Sequence, residues 1–325
     1  MISTAWSLTH DMAATLIGTA VLAPSSHNTQ PWLFRVRGSS IELLDDRTRA
    51  LPVNDPDDRE LTISCACALF NLRVAAAHAQ LAAALQAPCD PADPDCLATL
   101  ELAPATAPDA ALAALFDAVA LRRTYRLTFA DRPVAASMLD ALTEAARQEG
   151  AWLHILESRT QRQQAAELVA EGDEEQWADP AWRRELAAWM HPRRRGDGLT
   201  LPGLALPVAQ AVVRTFDVGY GVAARDIQLA DASPVLAVLG TPGDTLSDWI
   251  CAGQALQRLL LTATQHGLQA SFLNQPIEVA SLRSKLRQAT GRSGFAHVLL
   301  RLGHAENAVP ATPRRPLDEV IEIAG

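Results

Sequence analysis

The residues best suited to chemistry lie in one string, Ala23-Pro24-Ser25-Ser26-His27-Asn28-Thr29-Gln30-Pro31-Trp32. Ser25, Ser26, Asn28, Thr29 and Gln30 offer hydrogen-bonding side chains between two prolines, which fix φ and bar a simple continuation of helix or strand. Such a stretch suits a polar, planar ligand, and it equally suits a capped, proline-bounded turn. A second group, Arg122-Arg123-Thr124-Tyr125-Arg126, stands at a helix end. In an extended turn alternate residues project one way, so Arg122, Thr124 and Arg126 share a face. Guanidinium forks and a hydroxyl match phosphate oxygens; taken alone, they also make an ordinary solvated charge cluster. Arg314 and Arg315, between Pro313 and Pro316, form a third group, either phosphate ligands or a soluble tail. A fourth, Leu273-Asn274-Gln275-Pro276-Ile277-Glu278, runs from a core strand into a helix start and would aim backbone N–H groups outward. Its plainer reading is a turn, with Glu278 a first-turn acid.

Other chemistries lack their residues. There is no Gly-x-Ser-x-Gly, no Gly-x-Gly-x-x-Gly and no Walker-type loop, and His10, His78, His154 and His191 have no suitably spaced partners. The five cysteines, Cys65, Cys67, Cys89, Cys96 and Cys251, include no C-x-x-C pair, which argues against zinc. Cys89 and Cys96 flank the loop 90–95 and could bridge, but the odd count favours free thiols, and all five are read as structural.

The elements that must position these groups follow from periodicity and punctuation. Thr9 to Ala23 reads as a helix and Pro31 to Leu44 as a hairpin, so the Ser-Ser loop joins helix to strand. Asp57 and Asp58 open an Ala/Leu/Cys-rich helix expected to run to about Leu85, apolar on every side and so buried on most faces. A repeat of the same helix is expected: a shift of 187 positions pairs Ile63 with Ile250, Ala68 with Ala255, Leu69 with Leu256, Leu72 with Leu259, Ala76 with Ala263 and Leu81 with Leu268. Acidic, proline-bearing loops, Asn54-Asp55-Pro56 and Thr241-Pro242-Gly243-Asp244, precede both copies. One chain with two related halves imitates a two-fold dimer. The boundary is expected near Ala103 to Pro108, dividing 1–105 from 106–325. The second half carries a helix from Pro133 to Glu149, a strand from Trp152 to Leu156 and a helix from Thr160 to Glu171. Core strands follow at Pro234 to Gly240, Ala270 to Leu273 and His297 to Leu302. Between them, 172–221 holds Trp177, Trp182, Trp189 and the run Arg193-Arg194-Arg195, and is longer than a connector needs to be.

Composition bounds the partners. The chain has 325 residues, 49% of them hydrophobic, enough for one large core or two medium ones, and a formal charge of -9. That charge argues against nucleic acid or an anionic membrane, so any anion must meet a local arginine cluster. With no basic leader and no apolar run of membrane-spanning length, the expected location is cytoplasmic.

The Ser-Ser loop resembles the Pro-Ser-Ser-x-Asn-x-Gln-Pro-Trp pattern of the FMN-dependent nitroreductase family, and the arginine group resembles that family's Arg-Arg-Ser/Thr-x-Arg motif. Within the family the chain looks like the fused, Acg-type subgroup. The resemblance implies an α+β fold, with central antiparallel or mixed sheets flanked by helices, duplicated as a pseudo-dimer. It implies FMN bound by Ser25, Ser26, Asn28, Gln30, Arg122, Thr124, Arg126, Gln275, Pro276, Ile277, Glu278, Arg314 and Arg315. It implies no catalytic side chain, because the flavin carries the chemistry. Hydride from NAD(P)H would pass by way of FMN to a nitroaromatic, quinone or similar small acceptor. The motifs occur once each, which implies a single flavin per chain and a degenerate second site, in a monomeric pseudo-dimer or a homodimer of it. A lid within 172–221, taken as Trp182 to Leu206, would instead suit a flavin-sequestering or sensing protein with little turnover.

Overall fold

The computed structural model describes residues 6–89, 93, 95–192, 195–201 and 205–324. In chain order they form α1 His10–Ala20, β1 Trp32–Arg37, β2 Ser40–Asp45, α2 Arg59–His78, β3 Leu81–Gln86 and β4 Cys96–Pro104. There follow α3 Ala110–Ala113, α4 Phe116–Leu121, α5 Ala136–Gln148, β5 Trp152–Ile155, α6 Arg159–Ala178, α7 Pro180–Ala188, β6 Met190–Pro192, β7 Leu199–Leu201, α8 Leu206–Thr215 and α9 Gly219–Asp231. The chain closes with β8 Val235–Thr241, α10 Leu246–Gln265, β9 Gln269–Phe272, α11 Gln275–Glu278, α12 Ala280–Thr290, β10 Phe295–Gly303 and β11 Ile321–Ile323. Arg193 and Arg194, Asp90 to Ala92 and Pro94 lie outside the described residues, as does part of the expected lid.

Two sheets enclose a helix pair. The first runs β11-β1-β2-β4-β3 and the second β5-β8-β10-β9. Neighbours are antiparallel in both, except β11, which lies parallel to β1 with Phe34 opposite Ile321. Side-chain alternation explains the sequence patterns. In β1, Trp32, Phe34 and Val36 face the core while the intervening residues look outward, hence the clean period of two. In β8 and β10 both faces are covered. Val235, Ala237, Leu239, Val298, Leu300 and Leu302 join the central core, and Leu236, Val238, Ala296 and Leu299 pack with α6, α11 and α12. These strands therefore read as unbroken apolar runs.

α2 and α10 cross between the sheets. Both have 20 residues, and the shift of 187 carries Arg59–His78 onto Leu246–Gln265 end to end. At the crossing a Cβ on Gly253 would sit 2.4 Å from the Ile63 carbonyl oxygen and 2.5 Å from the Ala66 Cβ. Only glycine permits that approach. Asp55 Oδ2 accepts the Leu61 N–H at 2.9 Å at the start of α2, and Thr245 with Asp248 makes a capping box on α10. At α2 the acidic loop itself satisfies a helix-start N–H; at α10 the cap is Thr245 with Asp248 of the helix's own first turn.

Four expectations need correction. The helix expected to reach Leu85 stops at His78; Gln80 turns the chain at φ 60°, and Leu81–Gln86 pairs with Thr99–Pro104 as an edge strand. Alanine's helical propensity is worth a few tenths of a kcal/mol per residue, less than the ladder bonds that β4 offers. The helix expected to end at Glu171 continues to Ala178. Gly172, which reads as a break, is where α6 meets α11, since a Cβ there would stand 2.7 Å from the Gln275 Cβ. Cys89 and Cys96 are joined in a disulfide rather than free; the other three cysteines are free. Finally, α2 is long and apolar enough to cross a membrane, but 89% of that window is buried inside the protein, so it is a core helix.

Gly253→Ala forces a methyl group into backbone across the crossing and is expected to cost about 1–3 kcal/mol, read as a lower urea midpoint. Gly221→Ala, on α9 with open space at the Cβ position, should leave the midpoint unchanged or slightly higher.

Candidate functional site

The loop after α1 is held in an unusual backbone conformation. Ser26–Asn28 forms a 3-10 turn, and His27, Asn28 and Gln30 have φ of 49°, 55° and 53°. Left-handed non-glycine residues cost on the order of 1–3 kcal/mol each and persist only where the surroundings enforce them. Gln30 supplies much of that enforcement. It is fully buried, its amide donates to the Gly196 carbonyl at 2.8 Å, its Oε1 accepts the Arg315 N–H at 3.0 Å, and its own carbonyl accepts from Arg315 Nη1 at 3.1 Å. Ser25 Oγ accepts the Gln30 N–H at 3.0 Å. The polar side chains that remain face a cavity of about 840 Å³.

Ser25, Ser26, Asn28, Arg122, Thr124, Arg126, Gln275, Glu278 and Arg314 all line that cavity. Gln30, Pro276, Ile277 and Arg315 do not. Gln30 and Arg315 brace the loop from behind, and Arg315 also pairs with Asp46 at 3.4 Å and Glu319 at 3.5 Å. Pro276 is buried, and Ile277 is buried against the second sheet.

The arginines reach the cavity because their segment behaves as a strand extension. The Tyr125 N–H donates to the Ala270 carbonyl at 2.8 Å, with Thr124 bridged to Ala270 on the edge of β9. Alternation then sends Arg122, Thr124 and Arg126 one way and buries Tyr125 the other. Arg314 arrives from the C-terminal tail and donates to the Val21, Leu22 and Ala23 carbonyls at the end of α1, at 2.7, 3.1 and 3.0 Å. Among the described residues none of Arg122, Arg126 and Arg314 has a carboxylate within ion-pair distance, and the buried Nε of Arg122 has no partner. Burial, reinforced by neighbouring guanidinium charges, pulls Arg122 down to about 10 and Arg314 to about 9. Burial also lowers Arg126. Buried cations without counter-ions are costly, and an anion in the cavity relieves the cost.

The opposite wall is acidic. Glu60, in the first turn of α2, has a carboxyl oxygen 2.7 Å from Ser26 Oγ and is pushed up to about 8 by burial and the Glu278 charge. Glu278 accepts from Gln176 at 2.6 Å and is raised by burial. Asp173 is pushed up to about 7 by burial and by Asp226; both carboxylates accept from the Gln275 amide, at 3.1 and 2.9 Å. Trp177, Trp182, Met190, Leu199 and Thr200 complete the wall from the 172–221 segment. That segment is fastened down. Gly198 and Asn28 exchange bonds at 3.1 and 3.4 Å, Arg49 pairs with Asp197, Trp182 Nε1 donates to Asn54 at 2.8 Å, and Glu185 accepts the Val53 and Asn54 N–H groups, both at 2.9 Å. Glu60, Asp173 and Gln176 were not singled out from sequence. A first-turn glutamate looks like ordinary dipole compensation, and only its burial distinguishes it.

No protein-family model matches the chain. A Mycobacterium tuberculosis protein provisionally named an NAD(P)H nitroreductase is 35% identical over 317 residues, 95% of this chain and 90% of the relative. An uncharacterized protein of the same organism is 34% identical over 321 residues, 94% and 91% of the two chains. A third, provisionally named NAD(P)H nitroreductase acg, is 29% identical over 325 residues, 97% of each. Among solved structures, an FMN and NADPH-dependent nitroreductase from a Sphigopyxis strain is 22% identical and spans 65% of this chain and 99% of its own, with a TM-score of 0.44.

If the arginine cluster is an anion site, inorganic phosphate should raise the thermal midpoint of the wild-type protein in proportion to ln(1 + [L]/Kd). Arg122→Met should abolish the increment while unfolding no earlier than wild type in phosphate-free buffer. An equal phosphate response in both proteins would argue against the site.

Proposed function

Because this chain belongs to the nitroreductase family, we propose that its cavity binds FMN and that the protein is an NAD(P)H-dependent oxidoreductase acting on a nitroaromatic, quinone or similar small acceptor. The observation that carries the cofactor assignment is the set of guanidiniums that line the cavity without carboxylate partners among the described residues, Arg122 buried, Arg314 half-buried and Arg126 exposed. A phosphate monoester answers it in charge and in bidentate geometry. FMN, when bound, supplies reversible two-electron chemistry at its ring.

The chain's own residues then have distinct tasks. Arg122, Arg126 and Arg314, with the Thr124 hydroxyl, hold the phosphate. Ser25 and Asn28 would meet polar edges of the ring, Ser26 faces the cavity from the same loop, and Gln30 and Arg315 keep that loop in register from behind. Gln275 opens α11 and Glu278 closes it, and both side chains line the cavity; the Ile277 and Glu278 N–H groups, expected from sequence to point outward, are instead taken by the Asn274 carbonyl at 2.7 and 2.9 Å. Trp177 and Trp182 exclude water from the opposite wall.

The arrangement also supports a duplicated chain, 1–105 and 106–325. Read in sequence, β1-β2-α2-β3-β4 and β5-β8-α10-β9-β10 have the same order and the same sheet adjacency. On that reading the α2–α10 crossing takes the place of a subunit interface. The Ser-Ser loop comes from one half and the arginines from the other, which leaves one composite site per chain.

A second reading, a protein that sequesters or senses flavin, is favoured by the fastened 172–221 segment. The two are separable. Purified protein should carry about one FMN per chain by absorption and heat release, and Arg122→Ala should lose it. Anaerobic NADPH should bleach the flavin, and Arg49→Ala, which removes one tie between Asp197 and the body of the protein, should bleach faster; persistent yellow colour in both would favour sequestration.

A further inference from the structure

Glu60 is buried, 4% exposed, and lines the cavity without a role in holding a ligand. The groups facing it come from five directions. Asp55 and Arg59 flank it at the start of α2; Ser26 and His27 face it from the loop; Asn274 and Glu278 come from α11, Gln176 from α6 and His297 from β10. The two histidines are held neutral, both down to about 4, chiefly by burial. Three carboxyl groups, Asp55, Glu60 and Glu278, therefore face one guanidinium, Arg59, which lies 3.6 Å from Glu60 and also donates to the His297 carbonyl at 3.1 Å. If all three were ionised, two negative charges would stand uncompensated in the interior. Protonating a carboxyl costs far less than burying such a charge.

The hydrogen bonds say which group keeps a proton. Asp55 accepts a backbone N–H from Leu61 at 2.9 Å, and Glu278 accepts the Gln176 amide at 2.6 Å. Both donors favour an ionised acceptor. The short bond of Glu60 is to the Ser26 hydroxyl at 2.7 Å, and a hydroxyl accepts as readily as it donates. Asn274 Nδ2 stands at 3.4 Å, a long and weak contact. With Glu60 as donor, the Ser26 hydrogen is released to point into the cavity that Ser26 lines.

We propose that Glu60 is held as a neutral carboxylic acid and, through Ser26 Oγ, delivers the proton that accompanies reduction of the acceptor. This rests on the oxidoreductase reading above. For a quinone the balance is one hydride, whose two electrons originate in NAD(P)H, and one proton. The hydride forms one O–H bond and the Ser26 proton forms the other, as both quinone C=O π bonds pass into the aromatic ring of the hydroquinone. Ser26 takes the Glu60 proton in the same movement, and the Glu60 carboxylate is reprotonated by water. The donor is competent while protonated, below about 8, and is lost as pH rises through that value.

The test begins without acceptor or cofactor. Isotope-edited infrared difference spectra of protein labelled at glutamate carboxyl carbons should show a neutral-carboxyl carbonyl band at neutral pH that vanishes near pH 8 and is missing from Glu60→Gln. Absence of the band in wild type, or its persistence in Glu60→Gln, overturns the proposal. In the flavin-loaded protein, acceptor reduction should fall as pH rises through the same value. Glu60→Gln should be at least about 100-fold slower and flat with pH. Should Glu60→Gln not fold, Ser26→Ala keeps the infrared band and is expected to lose the pH-dependent step; an unchanged profile would sink the relay. Flavin stoichiometry on the same samples separates the two readings. A chain that binds no flavin refutes the oxidoreductase assignment and the delivery step together, whereas bound flavin with no neutral-carboxyl band refutes only the relay.

Discussion

The close crossing of α2 and α10 is the constraint on which the rest of the structure depends. Gly253 lies against the backbone of Ile63 and the methyl of Ala66, and Cys67 Sγ donates to the Gly253 carbonyl at 3.2 Å. A buried bond from Gln257 to Asn71 at 2.7 Å sets the register of the pair, and guanidiniums of Arg73 and Arg258 lie over the Phe70 ring. Helices that approach so closely cannot slide, because interiors are close-packed and bistable rather than compliant. Each sheet then packs on one of the two helices. The same helix pair lines the cavity, with Glu60, Ile63, Ser64 and Cys67 contributed by α2 and Leu256 by α10. A change in crossing distance would therefore reach the core and the site together.

The cavity is divided by charge at considerable cost. Arginines without counter-ions occupy one wall and carboxyl groups in excess of cations another, each shifted toward its neutral form by burial. A protein optimised for stability alone would fill such a space with aliphatic side chains or pair the opposite charges. That they are kept apart, in a cavity with three left-handed non-glycine residues in one lining loop, is the pattern expected where ligand binding rather than folding sets the residue types.

The expectations from sequence succeeded and failed for identifiable reasons. β1 was legible because one face is dry and the other wet, and β8 and β10 because both faces are dry. Leu81-Ala82-Ala83-Ala84-Leu85 misled because alanine reports local preference, whereas an edge position beside β4 is decided by a partner more than ten residues away. Gly172 misled because a glycine that admits a neighbour looks like one that ends a helix. The disulfide was open on spacing and closed only by the approach of β3's end to β4. Of the candidate ligands, those on the arginine segment were placed in the cavity by alternation and those on the loop by its left-handed turn, while Gln30 and Arg315 were turned behind it by bonds to each other.

By itself the sequence determined the two long apolar helices, the core strand positions and the two motifs that meet at the cavity, because these are local patterns of residue type. Only the tertiary structure decided that Arg314 joins Arg122 across nearly two hundred residues, that 172–221 walls the cavity instead of merely connecting its neighbours, and that Glu60 is buried against Ser26. Side-chain type is written in the chain. Desolvation, which raises the pKa of an ordinary first-turn glutamate and lowers that of an arginine, arises only when distant segments close over them.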